Sequence, residues 1–259
     1  VLLSSAQLAA WFTSWLWPFL RISALIAAAP VFGNQLIPPR IRLGVALTVT
    51  MIIAPVVPPA PMIDPVSFSG LLIAAQQVLI GVTLGFALRL VFAVLEIGGQ
   101  LTAQMMGLGF AVLVDPQNGI DVPVVSRLYV VLATLVFLAL NGHLAIIEVL
   151  SASFVTLPVG SQGVGRDGLW ILVTHAGWVF SAAVRMALPA IVALFIVNLA
   201  FGVMVRAAPQ LNIFAVGFPL TLVFGFFVML LTLPNMLTQF ERVFDFSIAT
   251  AQVIATEGN

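Results

Sequence analysis

Six apolar runs, each close to or longer than the ~17–25 residues an α-helix needs to cross a bilayer, decide what surrounds this chain. They cover roughly Ala9–Phe32, Ile41–Val57, Leu71–Ile97, Leu128–Ile147, Leu169–Val205 and Leu211–Leu233. The second is short and ends in proline; the fifth is too long for one simple span. Only 7% of the 259 residues are charged and 62% are hydrophobic, where an ordinary soluble domain is about a quarter charged. No compact fold of this size hides so much apolar surface from water, so lipid or apolar protein must cover most of it. In such surroundings a helix satisfies its backbone internally. The expected fold class is an all-α membrane-associated protein with about six hydrophobic helical segments, several of them broken or kinked.

The connections carry the punctuation. Gly33–Arg40 (GNQLIPPR) and Pro58–Ser67 (PPAPMIDPVS) are proline turns, Leu157–Gly168 is a flexible loop, and Arg206–Asn212 (RAAPQLN) is a tight break. Asn141-Gly142-His143 interrupts the fourth run, and the tail after Glu241 is expected to form a short amphipathic helix. If every run crosses, Arg40, Arg42, Arg127 and Arg206 fall on one side and Arg166 and Arg242 on the other. That asymmetry leans toward both termini on the non-cytoplasmic side. No basic stretch precedes Trp11, so the first residues do not read as a secretory signal.

Charges inside the runs need an explanation, because a charge at mid-bilayer costs about 2.5–3.5 kcal/mol or more. Arg21 and Glu148 sit where snorkelling to an interface competes with burial. Arg89 and Arg185 lie deeper, which favours a buried protein partner. Arg89 and Glu96 share a helix face but are too far apart along it for a good direct pair, so partners on other helices or other chains are expected. Pro18, Pro189 and Pro219 kink helices or free carbonyls. The pattern suits helices packed among other hydrophobic subunits better than helices bathed in lipid.

Chemistry is scarce. There is no cysteine, and all nine basic residues are arginine, so thiolate or lysine chemistry and a lysine-rich nucleic-acid tail are absent. His143 and His175 are isolated and read as helix-end hydrogen-bonders rather than ligands. No HExxH, G-x-S-x-G or P-loop occurs. Asp115 and Asp121 share one loop beside prolines and glycines, unlike the intrahelical aspartates an intramembrane protease needs. Neither catalysis, a cofactor nor a metal is expected.

The segment Gly98–Ser126 is too long for an ordinary connector and too apolar for water. Met105, Met106, Leu108, Phe110, Val112, Leu113 and Val114 supply the apolar surface. Gly98, Gly99, Gly107, Gly109 and Gly119 permit sharp turns and close packing, and Asp115-Pro116 starts a turn before Gln117. Such a segment is either a re-entrant, pore-lining loop or a loop buried against neighbouring helices; both meet the same backbone constraint. In a pore, its deformable methionines could exclude water and ions yet yield to a polypeptide.

The stretches Met106–Gly119 (MGLGFAVLVDPQNG), Asn141–Ile147 (NGHLAII) and above all Arg206–Leu220 (RAAPQLNIFAVGFPL) resemble the FliR family of bacterial flagellar biosynthetic proteins. Trp17–Gly33 with Pro38–Leu47 matches the family's N-terminal part, so the resemblance covers nearly the whole chain. Virulence injectisomes contain homologous subunits, but the Arg206–Leu220 wording is closer to the flagellar branch. The resemblance implies a core subunit of the flagellar type III export gate in the inner membrane and basal body, built from tilted helical hairpins. It implies assembly with FliP- and FliQ-type subunits, work with FlhB- and FlhA-type subunits, contact with lipid, and passage of unfolded flagellar proteins. It also implies a single domain over residues 1–259, mostly FliP-like over 1–205 and with a FliQ-like hairpin over about 169–259. The family's plug corresponds here to about Met105–Asn118, which favours the pore reading. Arg89, Glu96, Arg185, Arg206, Pro209, Asn212, Gly217 and Pro219 are then expected at subunit joints or structural breaks. A small-solute transporter with broken helices is the competing class, but neither an inverted repeat nor a convergent polar site is legible.

Overall fold

The computed structural model is described over residues 5–33, 37–108, 124–160, 163–207 and 213–256. Every regular element among them is a helix: α1 Ser5–Ala28, α2 Pro39–Ile53, α3 Phe68–Met105, α4 Val124–Ala139, α5 Gly142–Thr156, α6 Arg166–Ala207 and α7 Ile213–Thr256. Each apolar run becomes helix, and the fourth becomes two. Its interruption is real: Asn141 takes a left-handed φ of 55° between α4 and α5, which asparagine tolerates better than most residues. Pro39 opens α2 at a position where its missing N–H costs nothing.

The helices differ in kind more than the runs suggest. Among the described residues, α3, α6 and the Gly217–Thr256 part of α7 are by length and composition long and apolar enough to cross a membrane, or four spans if α4 and α5 make one broken span. The 38 residues of α3 extend about 57 Å at about 1.5 Å per residue. A hydrocarbon core is about 30 Å thick, and helix tilts rarely exceed about 40°. Helices this long therefore reach beyond the hydrocarbon at one end or both. The tail after Glu241 is no separate amphipathic helix; α7 runs on unbroken to Thr256, through Pro219 and Pro234. Arg242 thus lies inside a helix instead of a loop, and the arginine tally between loops loses its premise.

The chain divides into two compact units that interleave along the sequence: residues 1–90, 138–176 and 244–259 form one, and 91–137 and 177–243 the other. In the first, α1 and α3 meet backbone to backbone. Gln77, Gly81 and Gly85 recur at i, i+4 and i+8, one face of α3. A Cβ on Gly81 would collide with the Arg21 carbonyl, and one on Gly85 would lie 2.7 Å from Leu25 O and 2.8 Å from Ala28 Cβ. This is the small-xxx-small contact that lets helices approach in apolar surroundings.

That approach buries Arg21 completely, at 0% exposure. Its Nε donates to Gln77 Oε1 at 2.8 Å. One terminal nitrogen donates to Ser153 O at 2.7 Å and Ser153 Oγ at 3.2 Å; the other donates to Leu157 O at 2.7 Å. The guanidinium also lies 4.2 Å from the centroid of the Phe154 ring. All these acceptors are neutral. What balances the charge is the C-terminal end of α5, where Ser153 O, which also takes the Leu157 N–H, and the C-cap carbonyl of Leu157 accept and the helix dipole presents partial negative charge. Snorkelling, open to Arg21 on sequence grounds, is not what it does: Arg21 is an interior cap on another helix.

In the second unit, Phe92 on α3 meets Phe137 on α4 and Phe240 on α7 edge-on, with ring centroids 5.9 Å apart in both pairs. Gly98 and Gly99 are helical here and serve packing instead of turning. A Cβ on Gly98 would collide with Met186 Cε, and one on Gly99 would come within 2.7 Å of Ser126 Cα. The buried Ser126 hydroxyl donates to Glu96 O at 2.9 Å.

Arg21→Met should remove several charge-assisted bonds, each worth about 1.5–3 kcal/mol, and lower the membrane level and thermal unfolding midpoint of the protein. Arg21→Lys should recover little of this, because a point ammonium cannot reproduce the planar fork. Differential scanning fluorimetry in detergent, with immunoblots of membranes, checks both.

Candidate functional site

Of the apolar segment singled out in the sequence, Met105–Leu108 lies within the described residues, and Gly109, Phe110, Val112, Leu113, Val114, Asp115, Pro116 and Gln117 lie outside them. The Gly98–Ser126 stretch is shorter as a connector than it reads, since α3 continues to Met105 and α4 begins at Val124.

How α3 ends can be followed carbonyl by carbonyl. Met106 N–H still makes the helical bond to Thr102 O at 3.1 Å. Then Gly107 N–H donates to Gln104 O at 3.0 Å, and Leu108 N–H reaches back to Ala103 O at 3.0 Å. Gly107 has a φ of 81°. This pair of bonds around a left-handed glycine is the Schellman ending. The next carbonyl, Met105 O, accepts from Asn198 Nδ2 on α6 at 3.1 Å. The orphan carbonyls Ala103, Gln104 and Met105 thus all have donors, which apolar surroundings demand.

Met106 is fully buried. It lies on Gly225 of α7, where an added Cβ would meet its Cγ at 2.5 Å, Cε at 2.7 Å and Sδ at 2.9 Å. The whole thioether chain therefore follows the bare backbone of α7. The last residue of α3 and the first after it are held from two sides, Met105 by an amide on α6 and Met106 by a groove on α7.

The residues expected at joints are placed as follows. Arg89 and Arg185 are exposed on this chain and Glu96 is half-buried; Arg185 donates to Ser181 Oγ at 3.2 Å, one turn back on α6. Arg206 is exposed in the last turn of α6. Pro209 and Asn212 fall outside the described residues, in the interval between α6 and α7. Gly217 and Pro219 lie inside α7, where the Thr221 hydroxyl donates to Gly217 O at 2.7 Å. Glu148 is exposed on α5.

His175 departs from the helix-end reading. It sits well inside α6, buried, with Nε2 3.2 Å from Ser247 Oγ and Nδ1 3.3 Å from Thr250 Oγ1, stacked on Phe246 at 4.9 Å. Thr250 gives its one hydroxyl proton to Phe246 O at 2.8 Å. The same hydroxyl therefore lies within reach of both the Phe246 carbonyl and the His175 ring. The ring is a packing and hydrogen-bonding element of the first unit. Among the described residues no group of histidine, aspartate and glutamate is arranged to hold a metal.

Two residues of this site were not singled out in the sequence. Asn198 is a lone amide in the fifth apolar run, exposed on this chain; an amide in so apolar a helix calls for a partner, and that was the available signal. Gly225, in Phe224-Gly225-Phe226, carried the weaker signal of a lone small residue among large ones.

The family described as bacterial export proteins, family 1, matches residues 12–247. The chain is 39% identical over 242 residues to the flagellar biosynthetic protein FliR of Escherichia coli (strain K12), covering 93% of this chain and 92% of that one. It is 40% identical over 237 residues to the FliR of Pectobacterium carotovorum subsp. carotovorum, covering 91% and 90%. With the FliR of Bacillus subtilis (strain 168) it shares 28% identity over 243 residues, covering 92% and 93%.

Gly107→Ala should strain the left-handed position by about 1 kcal/mol, and Gly107→Asn by less. Limited proteolysis in the segment after Leu108 should speed up in the order glycine, asparagine, alanine.

Proposed function

This chain belongs to the bacterial export proteins, family 1, as a relative of the flagellar FliR proteins, and from that membership we propose that it is a core, channel-forming subunit of the flagellar type III export gate. The family match makes it a component of the flagellar export apparatus and a protein with membrane-embedding helices. The finer reading is that it assembles with FliP- and FliQ-type subunits and works with FlhB- and FlhA-type subunits. It would do so in the inner membrane at the flagellar basal body, passing unfolded flagellar subunits. Its chain would combine a FliP-like portion, about 1–205, with a FliQ-like hairpin, about 169–259. The segment Met105–Asn118 would plug the conduit.

The observation that carries this, beside the family, is how little of the apolar surface the chain covers for itself. In the most apolar stretch of α3, 67% of residues are buried, against 11% in α6 and 28% in α7. Phe195, Ile196, Val203, Leu230 and Leu231 are among those left exposed. These helices are too long for the hydrocarbon alone, so part of that surface needs protein neighbours. An apolar, glycine-broken segment with a fixed root on α3 is suited to close a conduit that such neighbours complete.

Deleting Phe110–Asp115, or changing Phe110 and Val112 to glycine, should let ions or small molecules leak across the inner membrane while the complex still assembles. Unchanged conductance in an intact complex would make the segment packing and not a seal. Substituting Arg206 or Pro209 should impair co-purification with FliP- and FliQ-type subunits more than it changes conductance. A stable, monomeric chain transporting a small solute in liposomes would defeat the gate reading itself.

A further inference from the structure

The root of the apolar segment is built with more care than a connector needs. Three independent devices converge on four residues: the left-handed Gly107 with its two backbone bonds, the Asn198 amide on Met105 O, and the Met106 side chain laid along Gly225. The first is local and would form wherever α3 ended in this sequence. The other two come from α6 and α7. Asn198 lies on a face of α6 that this chain leaves exposed; wherever that face meets lipid or apolar protein, its amide has a desolvation cost that the bond to Met105 O offsets. A glycine inside α7 costs about 1 kcal/mol of helix stability relative to alanine, and the space it leaves is filled by Met106.

Asn198 and Gly225 lie on either side of the Arg206–Leu220 joint, nine residues before the end of α6 at Ala207 and twelve after the start of α7 at Ile213. A change at that joint which moved α6 against α7 would alter the amide reach to Met105 and the groove under Met106 together. Neither contact tolerates much displacement: a hydrogen bond weakens steeply beyond its ideal range, and close packing is lost within an ångström.

We propose that Asn198 and Gly225 are positioning residues that moor the chain at Met105–Met106, so that the α6–α7 hairpin sets where the gate segment begins. This rests on the gate reading above. The mooring itself is a statement about the packing of α3 against α6 and α7, and it can be tested apart from any conductance.

The chain has no native cysteine, so Leu108→Cys accepts one nitroxide on it, in the full chain with its co-purifying subunits. Asn198→Leu and Gly225→Ala should each shift the label's spectrum toward greater mobility and raise ion leak across the membrane. Asn198→Gln, which keeps the amide donor, should restore part of the parent spectrum. In a Met106→Ala background Gly225→Ala should have no further effect, because the collision it creates is gone. Spectra unmoved by Asn198→Leu and Gly225→Ala would overturn the mooring. Spectra that move without leak, in a complex that does leak on deletion of Phe110–Asp115, would overturn its control of the gate. If that deletion does not leak either, the gate reading fails while the spectral cycle still establishes the mooring.

Discussion

In apolar surroundings the last carbonyls of a helix have no water to turn to, and each needs a donor from the protein. Two helix ends in this chain show how strictly that holds. At the end of α5 the donor is the buried guanidinium of Arg21, brought in from α1. At the end of α3 the donors are two backbone amides folded back around Gly107 and the side chain of Asn198. In both places a polar group that looks out of place in an apolar run is positioned by what another helix lacks.

The same requirement explains why the buried arginine is tolerable. A guanidinium stripped of water and facing no acid would normally be costly. Here three of its nitrogens are bonded, a ring lies against its face, and the negative end of a helix dipole lies ahead of it. Glycines at 81 and 85 bring α1 close enough for the fork to reach. Charge, cap and close packing therefore stand or fall together in the first unit. In the second, the glycines at 98, 99 and 225 play the corresponding part, admitting Met186, Ser126 and Met106 against bare backbone.

For function, the consequence is a division between rooted and uncovered surfaces. The start of the apolar segment is fixed by three helices, whereas much of α6 and α7 presents apolar side chains with nothing of this chain over them. The family to which the chain belongs is that of bacterial export proteins, and the same chain combines a firmly held root with long apolar helices that it leaves largely uncovered.

Most of the helical architecture was legible in the sequence, because apolar run length and proline or glycine punctuation are local signals. The runs, the break at Asn141 and the family itself all came from residues near one another in the chain. Gly107 was visible as a turn residue for the same reason. Other features were not local. Whether Arg21 snorkels or is buried, whether Gly98 and Gly99 turn or pack, and whether the tail after Glu241 stands alone depend on which helices come together. So does the partnership of Met105 with Asn198, 93 positions away. The sequence determined that this chain is helical and avoids water, since hydrophobicity and backbone propensity act residue by residue. Only the tertiary structure decided where each polar group finds its partner, since a hydrogen bond is satisfied in space and not along the chain.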